Sequence, residues 1–202
     1  MMTQSRFLTV PLLLALLAFA VDVAHAQVSL RVRGTITGFS DNVLSVKTRE
    51  GKDLKLQLSD KVVVVAAKAM KLEELKAGDY VGTTTQARAD GTLVAVEIHT
   101  LAPTVKPGHT PWDLEPNAMM TNGNVAGAMA KSPDGQRVTI EYPSGSQTIL
   151  VPPGTPIVTN VPADRSALKA GEYIFTSAAV AADGTLTVQR IQVSRDGVKP
   201  PQ

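Results

Sequence analysis

Apolar and polar positions alternate along most of the chain. Val32, Gly34 and Ile36, then Val43-Leu44-Ser45-Val46, then Leu54, Leu56 and Leu58 keep a period of two, which predicts strands with one buried face. Glu50-Gly51 reads as a turn between two of them, and Asp90-Gly91 predicts a hairpin joining Tyr80–Gln86 to Leu93–His99. The unbroken run Val62–Val65 predicts a short strand buried on both faces. Only Met70–Lys76 has helical spacing, with Leu72 and Leu75 three apart, and Gly78 supplies the left-handed residue that ends such a turn.

The pattern is stated twice. LKAGDYVG at 75–82 returns as LKAGEYIF at 168–175, an offset of 93 residues that also sets Ala89-Asp90-Gly91-Thr92-Leu93 on Ala182-Asp183-Gly184-Thr185-Leu186. It pairs Leu56 with Ile149, Leu58 with Val151 and Val65 with Val158. Two landmarks at one spacing predict a duplicated module. The expectation is an all-β chain of two tandem, small OB-like Greek-key barrels with one short helical turn each, a sandwich of short strands being the rival. Module 1 covers residues 27–100, a proline-rich connector 101–121, module 2 122–195, and 196–202 form a tail of which Lys199-Pro200-Pro201-Gln202 is expected to fray. The connector's four prolines make it stiff, and Trp112 and Leu114 are expected to fold back over a barrel mouth or the module interface.

Residues 1–26 stand apart. Arg6, the apolar run Phe7–Val21 and Ala24-His25-Ala26 have the form of a secretory signal cleaved after Ala26, leaving no membrane span. That places the chain in a bacterial periplasm or outside the cell. The sequence holds no cysteine, so disulfides, thiolate chemistry and cysteine zinc sites are excluded. Aromatics make up only 4%, so the cores must be aliphatic. A net charge of +2, with Lys and Arg scattered, gives no stripe for nucleic acid.

The stretches GTITGFSDNVLSVKTREGK, LKAGDYVG, GHTPWDL followed by Pro116 and Met120-Thr121-Asn122, and VPPGTPIV resemble a bacterial family of exported proteins of unknown function. The resemblance spans nearly the whole chain after the signal. It implies OB-like modules and export, and it carries over no catalytic residue. Some members bear the label of a metal transporter permease, which one cleavable apolar segment does not support.

Candidate chemistry is sparse. Downstream of the signal the histidines are His99 and His109, and no serine sits in a nucleophile elbow. Pro143-Ser144-Gly145-Ser146 reads as a hairpin turn. Glu73-Glu74 falls on the exposed side of the helical turn, and Asp79, Asp90, Glu172 and Asp183 repeat at turn positions, which favours structural work. The sharpest site hypothesis is a transition-metal centre in which His109, Asp113 and His99 converge, with Met119, Met120 and Met129 as further soft ligands. Gly123-Asn124-Val125-Ala126-Gly127 precedes a strand pattern, so it is no phosphate loop. The favoured reading is an exported, non-enzymatic binding module without a cofactor, whose partner is an envelope protein, a small ligand or an envelope polymer. The alternatives are periplasmic metal binding through the connector and a hydrolase with an unrecognised carboxylate site.

Overall fold

A computed structural model describes residues 28–201, without the side chains of Ala128 and Met129; residues 1–26, expected to be the signal, lie outside it. The alternating segments form twelve strands: β1 (Ser29–Ser40), β2 (Val43–Thr48), β3 (Asp53–Ala69), β4 (Tyr80–Ala87), β5 (Leu93–Thr100), β6 (Gly108–Pro111), β7 (Met119–Ser132), β8 (Gly135–Tyr142), β9 (Gly145–Val151), β10 (Ile157–Ala163), β11 (Tyr173–Val180) and β12 (Leu186–Val193). Single turns of 3-10 helix, Leu72–Glu74 and Arg165–Ala167, stand where the helical spacing placed the first. The fold is all-β. Among the described residues no helix is long and apolar enough to cross a membrane.

Two rings of five strands close. In the first barrel β1 pairs with β2, β2 with β3, β3 with β12 in parallel, β12 with β11, and β11 with β1. In the second, β7, β8, β9, β5 and β4 follow the same cycle, with β9 and β5 the parallel pair. Both have the strand order of a small Greek-key barrel of the OB type. The repeat predicts one barrel from each run, 27–100 and 122–195, but the pairing divides the chain differently. The first barrel takes strands from both ends of the chain, and the second from its middle.

The crossing is made by β3. Val62–Val65 is not a separate strand: it lies within the 17 residues of β3, and Val63 is 49% exposed. At roughly 3.3 Å per residue an extended run of this length reaches well beyond one small barrel. Its far half pairs with β10, and β10 then meets β5. At the position 93 residues on, Pro152-Pro153 removes two ladder donors, so the same path is broken into β9 and β10. Ala67 and Asn160, which are 93 residues apart, face each other across β3 and β10. A local two-fold therefore passes between them.

Each barrel has its own apolar core. Val32, Ile36, Leu44, Leu56, Ile174, Val188 and Ile191 fill the first. Val81, Ile98, Val125, Val138, Ile140 and Ile149 fill the second. Leu72 and Leu75 plug the second barrel and Leu168 the first, so each LKAG corner seals the barrel its chain is entering. Gly34 and Gly123 mark where β1 and β7 exchange one partner strand for another. A Cβ there would stand 2.3 Å from the Lys47 carbonyl oxygen and 2.2 Å from that of Glu141.

Candidate functional site

Residues directly opposite in a ladder share a face, so the register traces two rows across the sheet between the barrels. One runs Val65, Gln192, Phe175, Arg33 and the other Val158, His99, Gly82, Asn122. Asn160, opposite Ala67, stands between them. Val65, Ala67, Met120 and Val158 are buried here yet belong to neither barrel core. Among the described residues the buried side-chain atoms that find no partner in the protein are Arg33 Nε, Gln192 Oε1, Asn160 Oδ1, His99 Nδ1 and Asn122 Oδ1. All five lie on this face, which makes it a polar seam.

The connector straps the seam. The Tyr80 hydroxyl donates to the Val105 carbonyl at 2.7 Å and Asn122 Nδ2 to that of Lys106 at 3.2 Å, while β6 pairs with β7. The chain then crosses to the first barrel, where Trp112 stacks on the Arg31 guanidinium at 4.1 Å. Asp113 accepts from Arg33 at 2.8 Å, with Arg31 at 3.4 Å, and Arg49 donates to the carbonyls of Asp113 and Leu114. Burial would raise the Asp113 pKa, but the Arg33 hydrogen bond and the charges of Arg33 and Arg31 together hold it below the usual range. The tail does not fray through Pro201: Pro200 and Pro201 are buried, and Lys199 stands over the Tyr173 ring at 5.0 Å. Val198-Lys199-Pro200 restates Val105-Lys106-Pro107 at the same offset of 93. That match was the missed signal for the covered seam.

The three expected metal ligands have separate surroundings. His109 Nδ1 shares a hydrogen bond of 2.8 Å with the Thr121 hydroxyl, and partial burial lowers its pKa. Asp113 is held by the arginines. His99 is sealed in the seam, where burial pushes its pKa down to about 4. The Glu97 carboxylate at 3.9 Å would favour the imidazolium but is too far for a hydrogen bond, and desolvation prevails. Among the described residues no three His, Asp or Glu side chains gather as a metal group. Met120 is buried in the seam, and the Met129 side chain lies outside the described residues.

Three of the turn carboxylates serve their own turns, and Glu172 ties its turn to the residue after β12. Asp79 accepts from the Lys76 amide, Asp90 from Thr92, Asp183 from Thr185, and Glu172 from the Ser194 hydroxyl. Glu74 caps the first 3-10 turn through the Lys71 amide at 2.5 Å.

The barrels differ where they meet solvent. In the second, Arg88 beside the β4–β5 turn bonds Asp134 of the β7–β8 turn at 3.1 Å and latches the two loops together. In the first, Ala181 stands 93 residues after Arg88, and among the described residues no ion pair joins its two corresponding loops. An open groove of about 510 Å³ lies there, with half-buried Val43, Leu54 and Leu186 and with Asp53, Lys55, Gln57 and Asp183 around them. Charge is divided too. Residues 28–69 and 164–201 carry 13 Lys and Arg against 8 Asp and Glu, whereas residues 70–163 carry 6 against 9. The first barrel is thus basic and the second acidic. No family model, curated protein or solved structure matches the chain.

Proposed function

We propose that the protein is an exported, non-enzymatic binding protein built from a duplicated OB-like module, and that its first barrel takes the partner. The observation that carries this reading is the unlatched groove beside β2, β3 and the β11–β12 turn. This is the strand-and-loop surface on which barrels of this order receive polymers. Its half-buried leucines offer apolar contact, and the surplus of Lys and Arg on this barrel favours an anionic partner, an envelope protein or polymer. The non-enzymatic part is supported by the placement of the titratable groups: His99 is sealed, His109 is tied to Thr121, and Asp79, Asp90 and Asp183 hold backbone amides. The resemblance to an exported family agrees with this reading.

A photo-crosslinking residue at Gln57, in the groove, tests it against one at the exposed Ser146 of β9. Expected is a discrete adduct in cells from Gln57, weakened by Lys55→Glu, and none from Ser146. Equal labelling at both positions, or none at Gln57, would contradict the proposal.

A further inference from the structure

The two barrels treat one strand edge differently. On the second barrel, β7 pairs with β4 along one edge, Asn122 facing Gly82 and Met120 facing Thr84, and with β6 along the other, Asn122 facing Gly108 and Met120 facing Thr110. On the first barrel Arg33 and Arg31 stand where Asn122 and Met120 do, facing Phe175 and Ser177 of β11. Among the described residues no strand lies on the other edge of Ser29–Val32, since β2 begins to pair only at Gly34. The direction of the free groups follows from the bonds around it. Val28 and Ile36 bond toward β11 through Val180, Glu172 and Gly171, so even-numbered residues face β11 and odd-numbered ones face away. Arg33 confirms the parity, since its carbonyl accepts from Arg49 on the far side. Ser29 and Arg31 therefore turn their N–H and C=O groups to an edge on which none of the described strands lies.

We propose that this edge is a strand-addition site for an extended segment of a partner protein, with acidic and apolar residues alternating. The inference rests on the binding reading above and names the partner's chemistry. The second barrel shows the geometry: β6 is a short, proline-bounded, antiparallel strand seated on the same edge. The faces supply the alternation. Arg31 and Arg33 project to one side, where Asp113 already acts as an internal acidic residue between them, and Arg31 keeps 41% of its side chain exposed. Val28, 68% exposed, and Leu30, 42% exposed, project to the other side. An added strand would place its carboxylates by Arg31 and its apolar side chains by Val28 and Leu30. Open edges are otherwise blunted by proline, charge or bulges; Ser29–Val32 holds no proline or bulge, and its one charge, Arg31, is the group that an acidic strand would meet.

The test uses the purified protein and three labelled octapeptides read by fluorescence polarisation: alternating Glu and Val, the same peptide with Lys for Glu, and the Glu-Val peptide N-methylated at every second residue. The Glu-Val peptide should bind, and the other two at least about tenfold more weakly, because strand addition needs both the charges and the backbone donors. Ser29→Pro removes one edge donor while leaving the β11 ladder intact, so it should abolish binding without moving the melting temperature; Ser29→Ala should bind as the parent does. Absence of binding by the Glu-Val peptide, equal binding of all three peptides, or undiminished binding by Ser29→Pro overturns the proposal. So does a dimer in sedimentation that Ser29→Pro dissolves, which would assign the edge to a second copy. If the Gln57 adduct persists in Ser29→Pro while no peptide binds, the edge inference falls and the groove reading stands.

Discussion

Gly82 sits where two side chains leave no room for another. A Cβ there would meet His99 Nε2 at 2.7 Å and Asn122 Oδ1 at 2.9 Å, both in the packed seam. Gly82→Ala should cost about 1–3 kcal/mol in chemical denaturation, whereas Gly38→Ala, with nothing within 4 Å, should cost under about 1 kcal/mol. His99 gives the pH response. With its folded pKa depressed to about 4 from 6.5, the unfolded chain binds the proton first, so stability is full above 6.5 and falls as pH drops toward 4. The loss is about 3 kcal/mol at most, and His99→Gln, which installs the residue found at position 192, should flatten the melting-temperature profile in that window. Asp113 is half exposed, so screening limits its worth, yet Asp113→Asn leaves the buried Arg33 without its carboxylate and should cost about 1–2 kcal/mol. The turn roles of Asp79, Asp90 and Asp183 were legible from their repetition, whereas Glu172, at the position equivalent to Asp79, accepts from the Ser194 hydroxyl instead. The Arg31–Trp112 stack was not, because its members lie 81 residues apart and each looks like an ordinary surface residue in its own stretch.

Strands were legible wherever one face is buried and the other wet, as in β2 and the first part of β3, since alternation reports that asymmetry directly, whereas β4 and β5, buried on both faces over much of their length, were legible from the Asp90-Gly91 turn that joins them. Two elements escaped it. β6 has four residues, two of them Gly108 and Pro111, and it is a strand only because β7 offers its edge. β3 was read as two pieces because its polar Ser59-Asp60-Lys61 resembles a loop, and without a proline the backbone stays extended through it. The second 3-10 turn depends on Asp164, whose carboxylate accepts from the Ser166 amide at 2.7 Å. Asp164→Ala should lower the denaturation midpoint with unchanged slope, whereas Asp164→Asn, which keeps the accepting oxygen, should leave it near the parent value.

At the scale of the molecule, the number of barrels could be read from the sequence but their membership could not. Strands 93 residues apart share one apolar pattern, so β4 and β5 suit the first barrel as well as the second, and local periodicity cannot choose. The length of β3 and the pairing of its far half with β10 decide it by delivering the chain to the other barrel. The same ambiguity hid the candidate site, since the open edge of β1 is recognised only by comparison with β7 and its β6. The central structural claim is that the two barrels are interlaced, neither being made from one half of the chain. It is tested most directly by inserting a protease site beside the exposed Asn117, between β6 and β7, cleaving the folded protein and following it by size-exclusion chromatography under native conditions. The interlaced fold predicts that both fragments co-elute at the mass of the uncut chain and separate only in denaturant. Two folded fragments eluting independently would contradict it.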